Sequence, residues 1–137
     1  SSIEYNCDYN TLQIEQAYTV KGSGDYLSLR LGIISGSIDL EADYGSIKIA
    51  EMTDDAGDIR IESELAGIKI GYQPQYHFSF ELNLENASLK GIDDFTTNIK
   101  RIESSESYYE GYYGDNTSRN SILINAEYGS IRFIKKQ

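Results

Sequence analysis

The sequence has very few of the residues from which compact reactive sites are built. Its 137 residues include one cysteine, Cys7, one histidine, His77, one proline and no tryptophan. A single cysteine excludes a disulfide within the chain. Two residues of these types fall short of the three or four Cys and His ligands of a zinc site. A Cys-His or Ser-His-Asp arrangement would have to use His77. We therefore expect no catalytic residue, no metal site and no cofactor.

Long hydrophobic runs and a basic excess are missing as well. No stretch reaches the ~18 apolar residues of a membrane-spanning helix. The sequence contains twelve Lys and Arg and 22 Asp and Glu, which gives a formal net charge of −10. This acidic excess argues against a nucleic-acid surface. No signal peptide is visible, and the chain begins with Ser1-Ser2 instead of Met. We expect a processed or truncated chain that was exported from a longer precursor.

What the sequence does contain is an internal repeat. Five segments align without gaps, and three successive starts, at 38, 59 and 80, are 21 residues apart. The aligned segments are IEYNCDYNTLQI from Ile3, IDLEADYGSIKI from Ile38, IRIESELAGIKI from Ile59, FELNLENASLKG from Phe80 and ILINAEYGSIRF from Ile122. A repeat of this length indicates one supersecondary unit that is copied along the chain.

Each unit alternates apolar and polar residues, as in Ile38, Leu40 and Ala42 with Asp39 and Glu41 between them. This period of two is typical of a strand with one buried face. A turn at Tyr-Gly-Ser follows, where we expect glycine to supply the permissive backbone. A second short strand then resumes the alternation.

Like residues recur at the same position of each unit, which predicts that they stack in columns. The two clearest columns are Ile3, Ile38, Ile59, Phe80, Ile122 and Leu12, Ile47, Ile68, Leu89, Ile131. Stacking favours one all-β domain over residues 1–137, folded as a parallel β-solenoid with repeats of about 21 residues. An antiparallel β-sandwich with a hairpin at each Tyr-Gly-Ser has the same alternation and is the alternative.

Two regions depart from the repeat. Residues 15–37 form an irregular unit, in which YLSLRL, Tyr26 to Leu31, is the predicted strand. Residues 101–121 form a polar, tyrosine-rich insertion that we interpret as a loop or as a cap over the stack. Its four tyrosines, Tyr108, Tyr109, Tyr112 and Tyr113, are the candidate binding residues, because tyrosine gives a large, stiff, amphipathic contact area. The alternative is that two of the rings pack on the domain and the others hydrogen-bond locally.

The segments EADYGSIKI and NAEYGSIRF, with SYYEGYYG before the last unit, resemble exported bacterial β-solenoid proteins classed as adhesin-like and of unknown function. The resemblance covers Ile3 to Phe133. It implies a right-handed solenoid outside the cytoplasm, at the cell surface or in the periplasm, and it brings no catalytic residues.

The preferred function is therefore a non-enzymatic binding or structural module, with an unknown protein or glycan of the cell envelope as its partner. The alternative is a β-solenoid enzyme acting on polysaccharide, which would need converging carboxylates. Side chains of both charges occur within one unit, as in Asp39, Glu41 and Lys48, so the sequence predicts no cluster of carboxylates. A calcium site is the alternative to the expectation of no metal site, because calcium binds oxygen ligands and five aspartates lie in predicted turns: Asp54, Asp55, Asp58, Asp93 and Asp94.

Overall fold

The computed structural model describes residues 2–136, and in that range it contains strands and no helix. The strands are β1 (Ser2–Asn6), β2 (Asn10–Ala17), β3 (Thr19–Asp25), β4 (Leu27–Ile34), β5 (Ile38–Met52), β6 (Ile59–Tyr72), β7 (Phe78–Lys90), β8 (Thr96–Glu103), β9 (Glu106–Tyr113) and β10 (Ser121–Lys135). This part of the chain has no helix long and apolar enough to cross a membrane.

All ten strands belong to one mixed sheet that does not close on itself. Its order is β1-β3-β5-β6-β10-β7-β9-β8, while β2 pairs with β4 and β4 pairs with the second half of β5. Pairing is parallel except where β9 meets β7 and β8. The prediction of an all-β chain is confirmed. The antiparallel alternative is wrong for the repeated segments, because their strands pair in parallel.

The parallel register places like apolar residues side by side. Ile38 pairs with Ile59 and Ile47 pairs with Ile68, and all four are at most 1% exposed. Burying one such side chain stabilises the fold by roughly 1.5–3 kcal/mol. The inward face predicted from the alternation is therefore the face that forms the core.

The order of the strands differs from the order of the repeats in the sequence. The spacing of 21 residues predicts that Phe80 lies next to Ile59, but Ile122 of β10 lies between them and pairs with both. The two columns contain the predicted residues, but these residues are stacked in a different order across the sheet. The reason is physical: β7 and β10 present similar inward residues, so either fits against β6, and local alternation cannot choose between them.

The irregular unit at 15–37 places one additional residue between Ile3 and Ile38 in the first column, so two shorter spacings replace one long spacing. Ile3 pairs with Val20, and Val20 pairs with Ile38, so β3 supplies a rung that the gapless alignment did not contain. The strand predicted at Tyr26 to Leu31 corresponds to β4. The second column is extended in the same way, since Leu29 of β4 pairs with Leu12 and with Ile47.

The corner between the two halves of each unit does not use glycine in the way the sequence suggests. In Tyr44-Gly45-Ser46 the left-handed residue is Tyr44, with φ of 57°, and Gly45 is not among the residues with positive φ. Gly45 is required for a different reason: a Cβ at this position would overlap the carbonyl oxygen of Leu27 on the neighbouring strand. Close approach of backbones, and not a left-handed turn, selects glycine here.

The insertion at 101–121 is a loop only in part: it contains the end of β8 and all of β9, while residues 104–105 and 114–120 connect the strands. Strands β8 and β9 form an antiparallel hairpin, and β9 pairs with β7 from Phe78 to Glu85. Tyrosine favours strands, and the polar side chains around it suit a half-exposed edge. The hairpin satisfies the backbone N–H and C=O groups that β7 would otherwise leave open on this side. The polar composition alone had suggested an irregular segment.

Candidate functional site

The four predicted binding tyrosines all lie on β9, and strand alternation divides them between two faces. Tyr113 is buried and Tyr109 is partly buried against the core. Tyr108 and Tyr112 lie on the opposite face and are half-exposed. The four rings therefore do not form one patch. This matches the alternative in which two rings pack on the domain.

Tyr113 belongs to the aromatic end of the core. Its ring lies 5.1 Å from that of Tyr72, 5.5 Å from Phe78 and 5.7 Å from Phe95, between centroids. Its hydroxyl donates a hydrogen bond to the carbonyl oxygen of Pro74 at 2.9 Å. Tyr113 is thus the most deeply buried of the four candidate rings.

Tyr108 is the predicted tyrosine with the most polar surroundings. Its hydroxyl donates to Glu110 at 2.7 Å and approaches Glu81 at 3.2 Å. The hydrogen bond to Glu110 raises the pKa of Tyr108 to about 12. The guanidinium of Arg101 lies 5.9 Å from the ring centroid, within cation–π range. Tyr108 and Arg101 line a groove of about 420 Å³ beside β7 and β10.

A second set of residues, four of them tyrosines that the sequence analysis did not select, follows the corners of the units. We call it the corner row. It runs across the sheet as Tyr9, Tyr26, Tyr44, Leu65, Tyr128 and Asn86, and every member has positive φ. The rings of Tyr9 and Tyr26 stack with centroids 4.8 Å apart, and those of Tyr26 and Tyr44 stack at 5.0 Å. The first five members are 42–77% exposed.

An acidic row lies immediately before the corner row. Asp25 pairs with Asp43, Asp43 with Glu64, and Glu64 with Glu127. The row continues with Glu85 on β7 and with Asp8, whose carboxylate accepts the N–H of Asp25 at 2.8 Å. Most of these carboxylates, with Glu41 and Glu62 beside them, line a groove of about 590 Å³.

A basic row lies on the other side of the corner. Five cations pair from strand to strand in register and are exposed: Arg30, Lys48, Lys69, Arg132 and Lys90. Between the corner row and the basic row runs a hydroxyl row of Thr11, Ser28, Ser46, Ser130 and Ser88, interrupted by Gly67. Ser28 and Ser46 are hydrogen-bonded to each other at 3.1 Å.

The sequence analysis missed these rows because it compared charges within one unit. Asp39, Glu41 and Lys48 do differ in sign, but the sheet joins each of them to its counterpart on the next strand. The signal was present down the columns of the alignment, where Asp43 matches Glu64 and Lys48 matches Lys69. Reading it required the parallel register.

Cys7 and His77 are far apart. Cys7 follows β1 and His77 precedes β7, and four strands lie between those two in the sheet order. Cys7 packs against the core but keeps partial exposure, because β1 ends the sheet. The ring of His77 lies 6.0 Å from that of Tyr113, edge to face.

Two of the five aspartates of the predicted turns bind other residues of the chain through their carboxylates. Asp58 accepts the N–H of Ser121 at 2.9 Å, and Asp94 forms an ion pair with Lys135 at 3.3 Å. Between residues 2 and 136 no three His, Cys, Asp or Glu side chains come together in a way that could hold a metal ion.

Comparison of the chain with protein-family models, curated proteins and solved structures gave no significant match.

Proposed function

We propose that this chain is a non-enzymatic binding or structural module, adhesin-like in its use of an exposed repetitive surface and located outside the cytoplasm. As its architecture we propose a right-handed parallel β-solenoid with a basic repeat of about 21 residues. The parallel register of β5, β6, β10 and β7 supports the repeat. The hand follows the general preference of parallel connections, about 98% of which are right-handed.

The observation that carries the function is the corner row. Exposed aromatic rings in left-handed backbone are costly, by roughly 1–3 kcal/mol at each position, and such cost concentrates at functional sites. Tyr9, Tyr26 and Tyr44 accept this conformation at three successive corners while they remain 42–77% exposed. A row of stacked, amphipathic rings offers one continuous contact surface to an extended partner.

The test is a binding screen against a glycan panel and intact bacterial and host cell surfaces. The variant replaces Tyr9, Tyr26 and Tyr44 with Ser, and the matched control is Tyr18→Ser, since Tyr18 is 57% exposed and lies outside the row. We expect the triple variant to lose the partner that the parent binds, while the control retains it. Equal binding by both variants, or no partner for the parent, would contradict the proposal.

A polysaccharide-acting enzyme is the second candidate, and the acidic groove is the observation that favours it. Carboxylates of adjacent strands lie side by side in register there, and a glycosidase requires a pair of carboxyl groups. Incubation with neutral and acidic polysaccharides, followed by reducing-end analysis, tests this function. Cleavage by the parent that disappears in Asp43→Asn or Glu64→Gln would establish the enzyme and overturn the proposed binding module.

The location outside the cytoplasm is tested by fractionating the native cells and detecting the chain with an antibody. Recovery in the cell-surface or periplasmic fraction supports the proposal. Recovery with the cytoplasmic markers contradicts it.

A further inference from the structure

The basic row concentrates positive charge on one face of a chain whose overall composition is acidic. Five of the twelve Lys and Arg residues stand in one line across five neighbouring strands, in a chain with a net charge of −10. Neighbouring strands in a sheet lie about 4.8 Å apart, so successive cations are separated by one strand spacing. Like charges directly opposite each other destabilise a sheet.

The five cations are not neutralised by the protein. Among residues 2–136, the ion pairs involve Arg60 with Asp39 and Glu62, and Lys135 with Asp94. No member of the basic row lies within 4.0 Å of a carboxylate in this part of the chain. The acidic row cannot serve as the partner, because it projects from the other side of the corner.

We propose that this face binds a linear acidic polysaccharide laid across the strands, so that its anionic groups meet the basic row. The inference rests on the proposed function, since it names the partner class of the same module. A groove of about 510 Å³ runs along the basic and hydroxyl rows. The cations pair with carboxylate or sulfate groups, and the serine hydroxyls donate to or accept from sugar hydroxyls.

The corner row favours a polysaccharide over a single-stranded nucleic acid. Nucleic-acid bases bind by stacking on exposed aromatic faces. Here Tyr26 is stacked on Tyr9 on one side and on Tyr44 on the other, so both faces of its ring are occupied. The edge and hydroxyl group of the Tyr26 ring are what remain for a partner, and they suit the hydroxyls of a sugar chain. Beyond the corner the acidic row repels a polyanion and confines it to the basic face.

The test measures binding to polygalacturonate and dextran sulfate, with neutral dextran, a single-stranded DNA oligonucleotide and phosphatidylserine vesicles as comparators. The variant is K48Q/K69Q/R132Q. The control is K21Q/K100Q/R119Q, which removes the same charge from exposed positions outside the row. We expect the parent to bind at least one acidic polysaccharide in a salt-dependent manner, and the row variant to lose affinity about tenfold or more. The control should stay within about twofold, because it leaves the row intact.

Several outcomes would overturn the inference. Equal losses in both triple variants would show that total charge and not the row decides binding. Tighter binding to DNA or to vesicles than to either polysaccharide would assign the face to a different partner. If the parent ignores the polyanions but keeps a partner that depends on Tyr9, Tyr26 and Tyr44, this inference fails while the proposed function stands. If it binds nothing, both fail.

Discussion

Ile122 pairs directly with Ile59, although all of β7 and the β8–β9 hairpin lie between them in the sequence. Strand β10, the last of the ten in chain order, thus occupies the interior of the sheet. On its other side it pairs with β7, and β7 joins the hairpin to the sheet. The C-terminal segment holds the two parts of the sheet together.

This arrangement predicts that the two ends of the chain tolerate deletion differently. Removal of residues 121–136 deletes β10, with which both β6 and β7 pair. The deletion therefore separates β7, β9 and β8 from β6. We expect this variant to be unfolded or aggregated. The matched control removes residues 2–17, where β1 pairs with β3 and β2 pairs with β4. It should keep a cooperative thermal transition at lower temperature. Thermal unfolding of the two variants is followed by circular dichroism. Equal tolerance of the two deletions would contradict the central position of β10.

The strands and their buried faces could be predicted because alternation is a local property. Ile38, Leu40 and Ala42 alternate with polar residues, and no information from elsewhere in the chain is needed to assign their inward direction. The stacking order could not be predicted in the same way. It depends on which of several similar strands pairs with β6, and Phe80 and Ile122 are equally acceptable neighbours for Ile59 by hydrophobicity alone.

The candidate site was harder to predict than the fold for a related reason. Tyr108, Tyr109, Tyr112 and Tyr113 attract notice because they are close in sequence, yet a strand sends adjacent residues to opposite faces. The corner row consists of residues about one unit apart, such as Tyr26 and Tyr44, which come together only through the parallel register. Side chains that are contiguous on the surface are therefore scattered in the sequence.

The left-handed corners predict that Leu65→Asn stabilises the protein. Leu65 has φ of 54° and is 47% exposed, so it gains little burial to offset an unfavourable backbone conformation. Asparagine tolerates this region well, and Asn86 already occupies the equivalent corner of β7. We expect a gain of about 0.5–1 kcal/mol in the free energy of unfolding, measured by urea titration. Leu65→Val should lower stability, because a branched Cβ is worse there; a stabilising valine would contradict the explanation.

Buried phenols predict a loss of stability at alkaline pH. Burial raises the pKa of Tyr5 to about 12, and it also raises the pKa of Tyr72 and Tyr76 above the ordinary value. The folded state thus holds these protons more tightly than the unfolded state, in which tyrosine has a pKa of about 10. The resulting stabilisation is complete below pH ~10 and is lost progressively as the pH rises through ~12.

Urea unfolding measured between neutral pH and pH ~12 tests this dependence. The midpoint should be constant up to about pH 10 and then fall. Tyr76→Phe is the informative variant: it removes one buried ionisable group and the hydrogen bond to the carbonyl oxygen of Gly57. It should be less stable at neutral pH and show a shallower alkaline decline. A decline as steep as that of the parent would mean that the loss of stability does not come from Tyr76.

The hairpin provides the last prediction, because it contains adjacent tyrosines of opposite roles. Tyr113 is 7% exposed, packs against Tyr72, Phe78 and Phe95, and donates to Pro74. Tyr113→Ser should therefore cost about 3 kcal/mol or more, by analogy with large-to-small changes of core aromatics. Tyr113→Phe keeps the ring but leaves the carbonyl oxygen of Pro74 without this donor, so it should cost about 1 kcal/mol. Tyr112→Ser on the half-exposed face of the same strand is the control, with an expected effect below about 1 kcal/mol. Thermal and urea melts of the three variants give the ranking. If Tyr113→Ser melts like the parent, the hairpin does not cap the aromatic end of the core, and β9 becomes free to act as a binding surface through both faces.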